Sequence, residues 1–231
     1  MSAGRSVPPM FNDPEFVQRY AEGPGRAIPG FGTLHRMVLQ LLGERLGADA
    51  RVLVLGAGGG MELQSFATAH PGWGFVGVDP SPAMLEQARQ VLGELMSRIE
   101  LKEGFIPDSP AGPFDAATCL LTLQLVPDDG QKLEALSAIH ERLTPGAPFV
   151  IVDNCIDLAA ADAEQKLQRF VQFAVEAGVD AAQMERMKTL IRSTLQLVSP
   201  EREEALLAEA GFTGTELFFA GLSWRGWITY A

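Results

Sequence analysis

Val52-Leu53-Val54-Leu55-Gly56-Ala57-Gly58-Gly59-Gly60-Met61-Glu62 decides the fold. A short apolar strand runs straight into a glycine loop, and the residues beyond the loop open a helix. Glycine lets the backbone take positive φ and lets a ligand approach without meeting a Cβ. The helix N-terminus behind the loop presents free N–H groups, so the turn is built for a nucleotide-like ligand. Gly56, Gly58 and Gly60 read G-x-G-x-G, whereas the dinucleotide fingerprint G-x-G-x-x-G needs glycine where Met61 stands. That spacing argues against a nicotinamide dinucleotide.

Downstream, a second strand from Trp73 to Val78 ends in Asp79. The distance from the loop is about 20 residues, where an acid meets a ribose hydroxyl in such a βαβ unit. An isolated acid at a strand end is more often a turn former or helix cap, but after this loop and at this distance it reads as a ribose ligand. Ser81 and Pro82 then read as N-cap and first helical residue. The helix they start repeats Met84, Ala88, Val91, Leu92 and Leu95 at helical spacing.

Upstream, Phe11 to Glu22 reads as a short helix ended by Gly23-Pro24-Gly25, and Arg26 to Gly32 as an irregular connector. A longer helix carries Leu34, Met37, Val38, Leu41 and Leu42 on one stripe. Two helices thus precede the first strand, placed either to cover the strand ends where open α/β sheets bind ligands or to meet a second copy in a homodimer. After the βαβα unit, Arg98 to Lys102 and Phe114 to Leu121 read as strands. Asp128 and Gln131 look like a capping pair for a helix through Leu143 that stops at Thr144-Pro145-Gly146, and Pro148 to Asp153 is a fifth strand. Three helical segments follow, Ala159 to Ala177, Ala181 to Leu195 and Pro200 to Ala210. Gly214 to Ala220 and Leu222 to Ala231 close the chain as two strands around a turn at Gly221, which must be antiparallel.

The expected fold is therefore α/β: a doubly wound, mostly parallel, seven-stranded Rossmann-like sheet with a C-terminal antiparallel hairpin and an N-terminal helical lid. We expect one domain over 1–231, with N-terminal helices at 11–47, a cofactor-binding core at 51–153, a helical segment at 159–211 and the hairpin at 213–231.

Composition narrows the function. The chain has 231 residues, 47% hydrophobic and 20% charged, enough for one well-filled core. Eighteen Lys and Arg against 29 Asp and Glu leave a net charge of −11, which repels a phosphate backbone and argues against nucleic acid as partner. Apolar runs are far too short for a membrane span, and Met1 to Met10 lacks the layout of a signal peptide. A cytoplasmic protein is expected. Cys119 and Cys155 have no metal or redox spacing and read as buried thiols; no metal site is expected.

At this point the chain resembles the class I S-adenosylmethionine-dependent methyltransferases over nearly its whole length. The resemblance rests on Val52 to Gly60, on Val76-Gly77-Val78-Asp79-Pro80-Ser81-Pro82-Ala83-Met84-Leu85, on Phe114-Asp115 and on Leu143-Thr144-Pro145-Gly146. It implies S-adenosylmethionine as cofactor. The glycine loop (Gly56, Ala57, Gly58, Gly60) would hold the methionine part, Asp79 the ribose with Pro80 and Met84 alongside, and Gly104, Phe105 and Ile106 the adenine. Within the class the chain is most similar to the carboxy-S-adenosylmethionine synthases of tRNA wobble-uridine modification, through Arg26-Ala27-Ile28-Pro29-Gly30-Phe31, Leu121-Thr122-Leu123-Gln124-Leu125 and Ala210 to Phe219. It departs from them at four places: Phe105 replaces an acid that meets the adenine, Leu120 an asparagine beside the cofactor, Phe31 a cofactor-contacting tyrosine, and Lys188 an arginine that grips the extra carboxylate. Lysine lacks the planar fork of a guanidinium.

Phe31, Phe105, Leu120 and Gln124 complete the candidate cofactor contacts, and Lys188 with Arg192 are candidate substrate contacts. A lysine at the edge of a packed stripe commonly snorkels, and three basic residues on one helix are usually a solvated face. Methyl transfer from a sulfonium needs alignment and exclusion of water rather than a protein nucleophile. A general base helps only with a hydroxyl or protonated amine; Asp153, at the end of the fifth strand, and His35, in the predicted lid, are the candidates. The expected activity is methyl transfer to a small molecule. The alternatives are carboxy-S-adenosylmethionine synthesis from prephenate and cofactor binding without catalysis.

Overall fold

The computed structural model describes residues 7–231; residues 1–6, part of the stretch read for a leader sequence, lie outside the described residues. Three helices and one strand precede the glycine loop: α1 (Pro14–Arg19), α2 (Gly23–Ala27), α3 (Phe31–Gly43) and, leading into the loop, β1 (Arg51–Leu55), with a 3-10 turn at Pro9–Asn12 ahead of them and another at Tyr20–Glu22. There follow α4 (Met61–Ala69), β2 (Gly74–Asp79), α5 (Pro82–Leu92), β3 (Ile99–Glu103), β4 (Ala116–Leu120), α6 (Gln131–His140) and β5 (Pro148–Asn154). The chain closes with α7 (Ala163–Glu176), α8 (Ala181–Thr194), α9 (Pro200–Glu209), β6 (Thr213–Gly221) and β7 (Trp224–Tyr230).

All seven strands form one sheet in the order β3-β2-β1-β4-β5-β7-β6. The first five pair in parallel, and β7 runs antiparallel between β5 and β6. Side chains alternate across the sheet. Val52, Val54, Val150 and Val152 pack with α3, α4 and α7, while Leu53, Leu55, Phe149 and Ile151 pack with α6 and α9. The stripe of α3 joins the first of these cores through Leu34, Val38 and Leu42, all fully buried. Met37 and Leu41 of the same stripe pack against that core, partly buried.

Several local expectations change. Gly23-Pro24-Gly25 does not stop a helix; it forms the first turn of α2, where proline needs no N–H partner, so only Ile28 to Gly30 remain as connector. The capping pair Asp128 and Gln131 does not form. Gly130 occupies the N-cap at φ +106°, Asp129 Oδ1 accepts the Gln131 N–H, and Asp128 instead pairs with Arg202 of α9. The fourth strand begins at Ala116, because Phe114 only bridges to Leu143, and it stops before Leu121. The helix expected from Ala159 starts at Ala163, since Asp157 Oδ1 draws the Ala159 N–H into a turn. The hairpin turns at Leu222 and Ser223, one step beyond Gly221, with Leu222 at φ +56°.

Candidate functional site

A cavity of about 670 Å³ opens at the C-terminal ends of β1, β2 and β4, the edge at which open α/β sheets bind ligands. The glycine loop forms its floor. Gly56 N–H and Ala57 N–H donate to Val78 O at 2.8 and 3.0 Å, tying the loop to β2. Gly56, Gly58 and Gly60 take φ of +72°, +48° and +83°, conformations that cost a residue with a Cβ about 1–2 kcal/mol. Two of them are also forced by space. A Cβ on Gly56 would fall on the Thr122 hydroxyl, and one on Gly60 would lie 3.0 Å from Ala88 Cα of α5.

Asp79 closes the loop from the end of β2. Its Oδ2 accepts Gly58 N–H and its Oδ1 accepts Ser81 N–H, both at 2.9 Å. Burial raises its pKa, against the pull of those two N–H groups. Next to it, Ser81 Oγ caps α5 by accepting Met84 N–H at 3.1 Å and donates to Phe11 O at 2.7 Å, with Asn12 Oδ1 at 2.9 Å. One hydroxyl thereby starts a helix and pins the N-terminal segment over the cavity mouth. Phe11, Phe16 and Tyr20 form a ring cluster with centroids 5.7–6.2 Å apart, and the Tyr20 ring lies beside Gly58 and Gly59. Its hydroxyl is pushed up to about 12, by burial first and then by Asp79 and Glu62. Under the loop, Glu62 of α4 is buried and accepts a hydrogen bond from Thr118 of β4. Burial holds its carboxyl up at about 8, the Thr118 bond opposing.

The opposite wall has a different construction. Leu121 and Thr122 follow β4, with Leu121 at φ +60° and its N–H on Val152 O at 2.6 Å. A left-handed leucine marks stored backbone strain at the rim of a site. Val126, Gln131 and Leu190 with Thr194 and Gln196 continue the wall from α6 and α8. Behind it Lys132 Nζ donates to Gln196 O at 3.2 Å and lies 3.6 Å from Glu203 Oε2, both side chains 1% exposed. Asp153, equally buried, faces the same group from β5. Burial, then the Glu203 charge, push Asp153 well above the ordinary carboxylate range, with Lys132 opposing. Burial raises Glu203 too, again against Lys132.

Of the residues singled out in the sequence, Gly56, Gly58, Asp79, Pro80, Met84, Phe105 and Ile106 all line the cavity, as does Gly104. Ala57, Gly60, Phe31, Leu120 and Gln124 do not. Ala57 and Leu120 are core residues, and Gly60 packs on α5. Phe31 meets the ring of His35 at 5.4 Å. Gln124 supports the wall from behind, its backbone O accepting Gln196 N–H at 2.7 Å and its Oε1 accepting Asn154 N–H at 3.2 Å. His35 sits between the rings of Phe31 and Phe66, and burial lowers its pKa; it does not reach the cavity. Nor does Asp153, whose side chain points to the α6 and α9 face. Both general-base candidates are thus outside the site.

Lys188 and Arg192 point away as well. Lys188 Nζ pairs with Glu164 at 2.9 Å and Glu185 at 3.1 Å, and Arg192 Nη2 with Glu164 Oε2 at 2.5 Å. Residues four apart share a helix face, and this face of α8 is docked on α7. The cavity face carries Leu190, Ser193 and Thr194 instead. Of the expected N-terminal lid, the cavity receives Phe11 and Tyr20, and the preceding Val7 to Met10, outside that expectation, join them. Tyr20 carried no sequence signal of its own, because its place depends on chain segments far away in the sequence.

The architecture and strand order are those of the Rossmann-like methyltransferases. Residues 53–149 match the family model described as a methyltransferase domain, and the chain shares its fold with solved methyltransferases. Among curated relatives it is similar to the carboxy-S-adenosyl-L-methionine synthase of Chromohalobacter salexigens, 26% identical over 94% of this chain and 82% of that protein. Among solved structures it is similar to human N-acetylserotonin methyltransferase in complex with SAM, at TM-score 0.65 and 17% identity, covering 96% of this chain. The chain spans only 57% of that longer protein. A SAM-dependent methyltransferase from Thermotoga maritima matches at TM-score 0.60 and 17% identity, over 96% of this chain and 97% of its own. Among the described residues no helix is long and apolar enough to cross a membrane, and no cluster of His, Cys, Asp and Glu is arranged to hold a metal ion.

Proposed function

We propose that this chain binds S-adenosylmethionine in the cavity and transfers its methyl group to a small molecule. The observation that carries the reading is the join of Gly58 and Asp79. A loop with no Cβ in the way stands beside a buried carboxylate whose two oxygens each hold a single backbone donor. An ionised carboxylate has about four lone-pair sites, so Asp79 retains capacity for the two hydroxyls of a ribose. Phe105 and Ile106 offer an apolar slot for a base, and Gly56 and Gly58 a close approach for the amino-acid end. Bound there, S-adenosylmethionine supplies an already activated methyl group. The chain's own work is then to hold the two reactants in line and to shut out water with the Phe11 and Tyr20 cluster.

The curated relatives favour a second reading, synthesis of the carboxylated cofactor. Against it stands the fate of Lys188, which is committed to Glu164 and Glu185 and cannot grip a carboxylate in the cavity. Mass spectrometry of the small molecule released on denaturing freshly purified protein separates the two. S-adenosylmethionine or S-adenosylhomocysteine is the expected result, and the carboxylated form would replace this reading with the second. If the released fraction is empty, calorimetric titration with S-adenosylmethionine decides, and no binding at millimolar concentration would overturn the assignment.

A further inference from the structure

The cavity wall is chemically lopsided. Among the described residues that line it, Asp79 is the only carboxylate, and none is lysine, arginine or histidine. The remaining polar side chains, Tyr20, Thr122, Gln131, Ser193, Thr194 and Gln196, are all neutral. Lys188 and Arg192 of α8 sit on its other face and are held by Glu164. Lys132, one residue from the cavity-lining Gln131, is turned inward to Glu203 and Gln196 O. The helices at the wall therefore carry cations, and each of these three is directed away from the ligand space.

The second feature is that, among the described residues, none lining the cavity is placed to take a proton from an acceptor. Asp79 already accepts two backbone N–H groups at 2.9 Å. Asp153 and His35 are packed elsewhere, and Tyr20 keeps its proton at neutral pH. An alcohol or a protonated amine would find no base beside it. An anionic acceptor would lose its hydration and find no lysine, arginine or histidine among the described lining residues to replace it.

From this wall we infer the class of acceptor: an uncharged, largely apolar molecule whose nucleophile is a heteroaromatic nitrogen, methylated without any protein base. The inference rests on the proposed methyl-transfer reading. In the step itself the nitrogen lone pair forms the new N–C bond and the C–S bonding pair stays on sulfur. The positive charge passes from sulfur to nitrogen, and no proton moves. Leu121, Leu125, Val126 and Leu190 give the ring an apolar seat. Ser193, exposed at the rim, is the position at which one added cation would change the preference.

The test separates the two layers. Calorimetric titration with S-adenosylmethionine comes first, and failure there is failure of the methyl-transfer reading itself. With cofactor binding in hand, quinoline, a quinoline carboxylate, a naphthol and a naphthalenethiol are compared. Binding is measured in the presence of S-adenosylhomocysteine, and turnover by S-adenosylhomocysteine release. The expected result is that quinoline binds at least about 10-fold more tightly than its carboxylate and is the compound methylated. Ser193→Arg, at the exposed rim of the cavity, narrows or reverses that ratio. Equal or tighter binding of the carboxylate to the unaltered protein would overturn the inference. So would turnover confined to the naphthol or the thiol, or a ratio that Ser193→Arg does not move.

Discussion

The two walls of the cavity are made by different physics. On the β1–β2 side the work is done by backbone: three glycines at positive φ, two N–H groups on Asp79, and one serine that caps a helix and pins the N-terminal segment. On the α6–α8 side the wall is a thin shell of neutral side chains resting on Lys132, Glu203 and Asp153, which are buried behind it. The first wall has no room for an added atom at Gly56 or Gly60 and contains little that can titrate apart from Asp79 and Glu62. The second takes substitution at its face and is vulnerable at its back. Recognition of an invariant ligand suits the first construction, and variation of acceptor suits the second.

Breaking the back of the second wall should have the largest effect. Lys132→Met leaves Glu203 and Asp153 buried without their ammonium, a loss of about 3–5 kcal/mol, read as a lowered midpoint in urea. The Lys132→Met, Glu203→Met pair should recover part of it. A single variant as stable as the parent would mean that the cluster does not support the wall. On the first wall, Gly58→Arg should leave the fold standing and weaken S-adenosylmethionine by about 100-fold or more, about 2.8 kcal/mol, in a calorimetric titration. Unchanged affinity there would sink the placement of the cofactor.

A smaller effect tests the one acid hidden beneath the glycine loop. Burial holds Glu62 at about 8 against 4.5 for an ordinary glutamate. Between those values the folded protein keeps a proton that the unfolded chain has lost, so the Glu62 contribution to stability falls as pH rises through the window. Over the whole window this amounts to a few kcal/mol at about 1.4 kcal/mol per unit. Glu62→Gln keeps an acceptor for Thr118 and removes the titration, so its stability should decline less between pH 4.5 and 8. Parallel curves for variant and parent would contradict this. Lys188→Ala should do least: a partly exposed tie between α7 and α8 is worth under about 1 kcal/mol, and S-adenosylmethionine affinity should not change. A lost cofactor or acceptor site in that variant would return Lys188 to the cavity.

Much of the fold was readable because its signals are local. Apolar strands, a glycine loop and the Ser81-Pro82 cap each act within a few residues, and strand alternation with helices leaves few topologies open. The reversed last pair also followed, because a tight turn admits only antiparallel strands. The errors came at positions where a local rule met a distant partner. Asp128 looked like a cap and is held by Arg202, 74 residues away; Asp153 looked like a base at a strand end and is buried against α6 and α9.

The sequence by itself determined the α/β class, the glycine loop and Asp79, since each depends on residue type and short spacing, while Phe105 and Ile106 came only from the family resemblance. Only the tertiary structure decided which side chains face the ligand space. It brought Tyr20 and Thr122 to the loop, turned Lys188, Arg192 and Lys132 away, and left a wall without a cation among the described residues. The reason is geometric. Spacing tells which residues share a helix face, but which face meets the cavity is set by packing against elements far off in the chain.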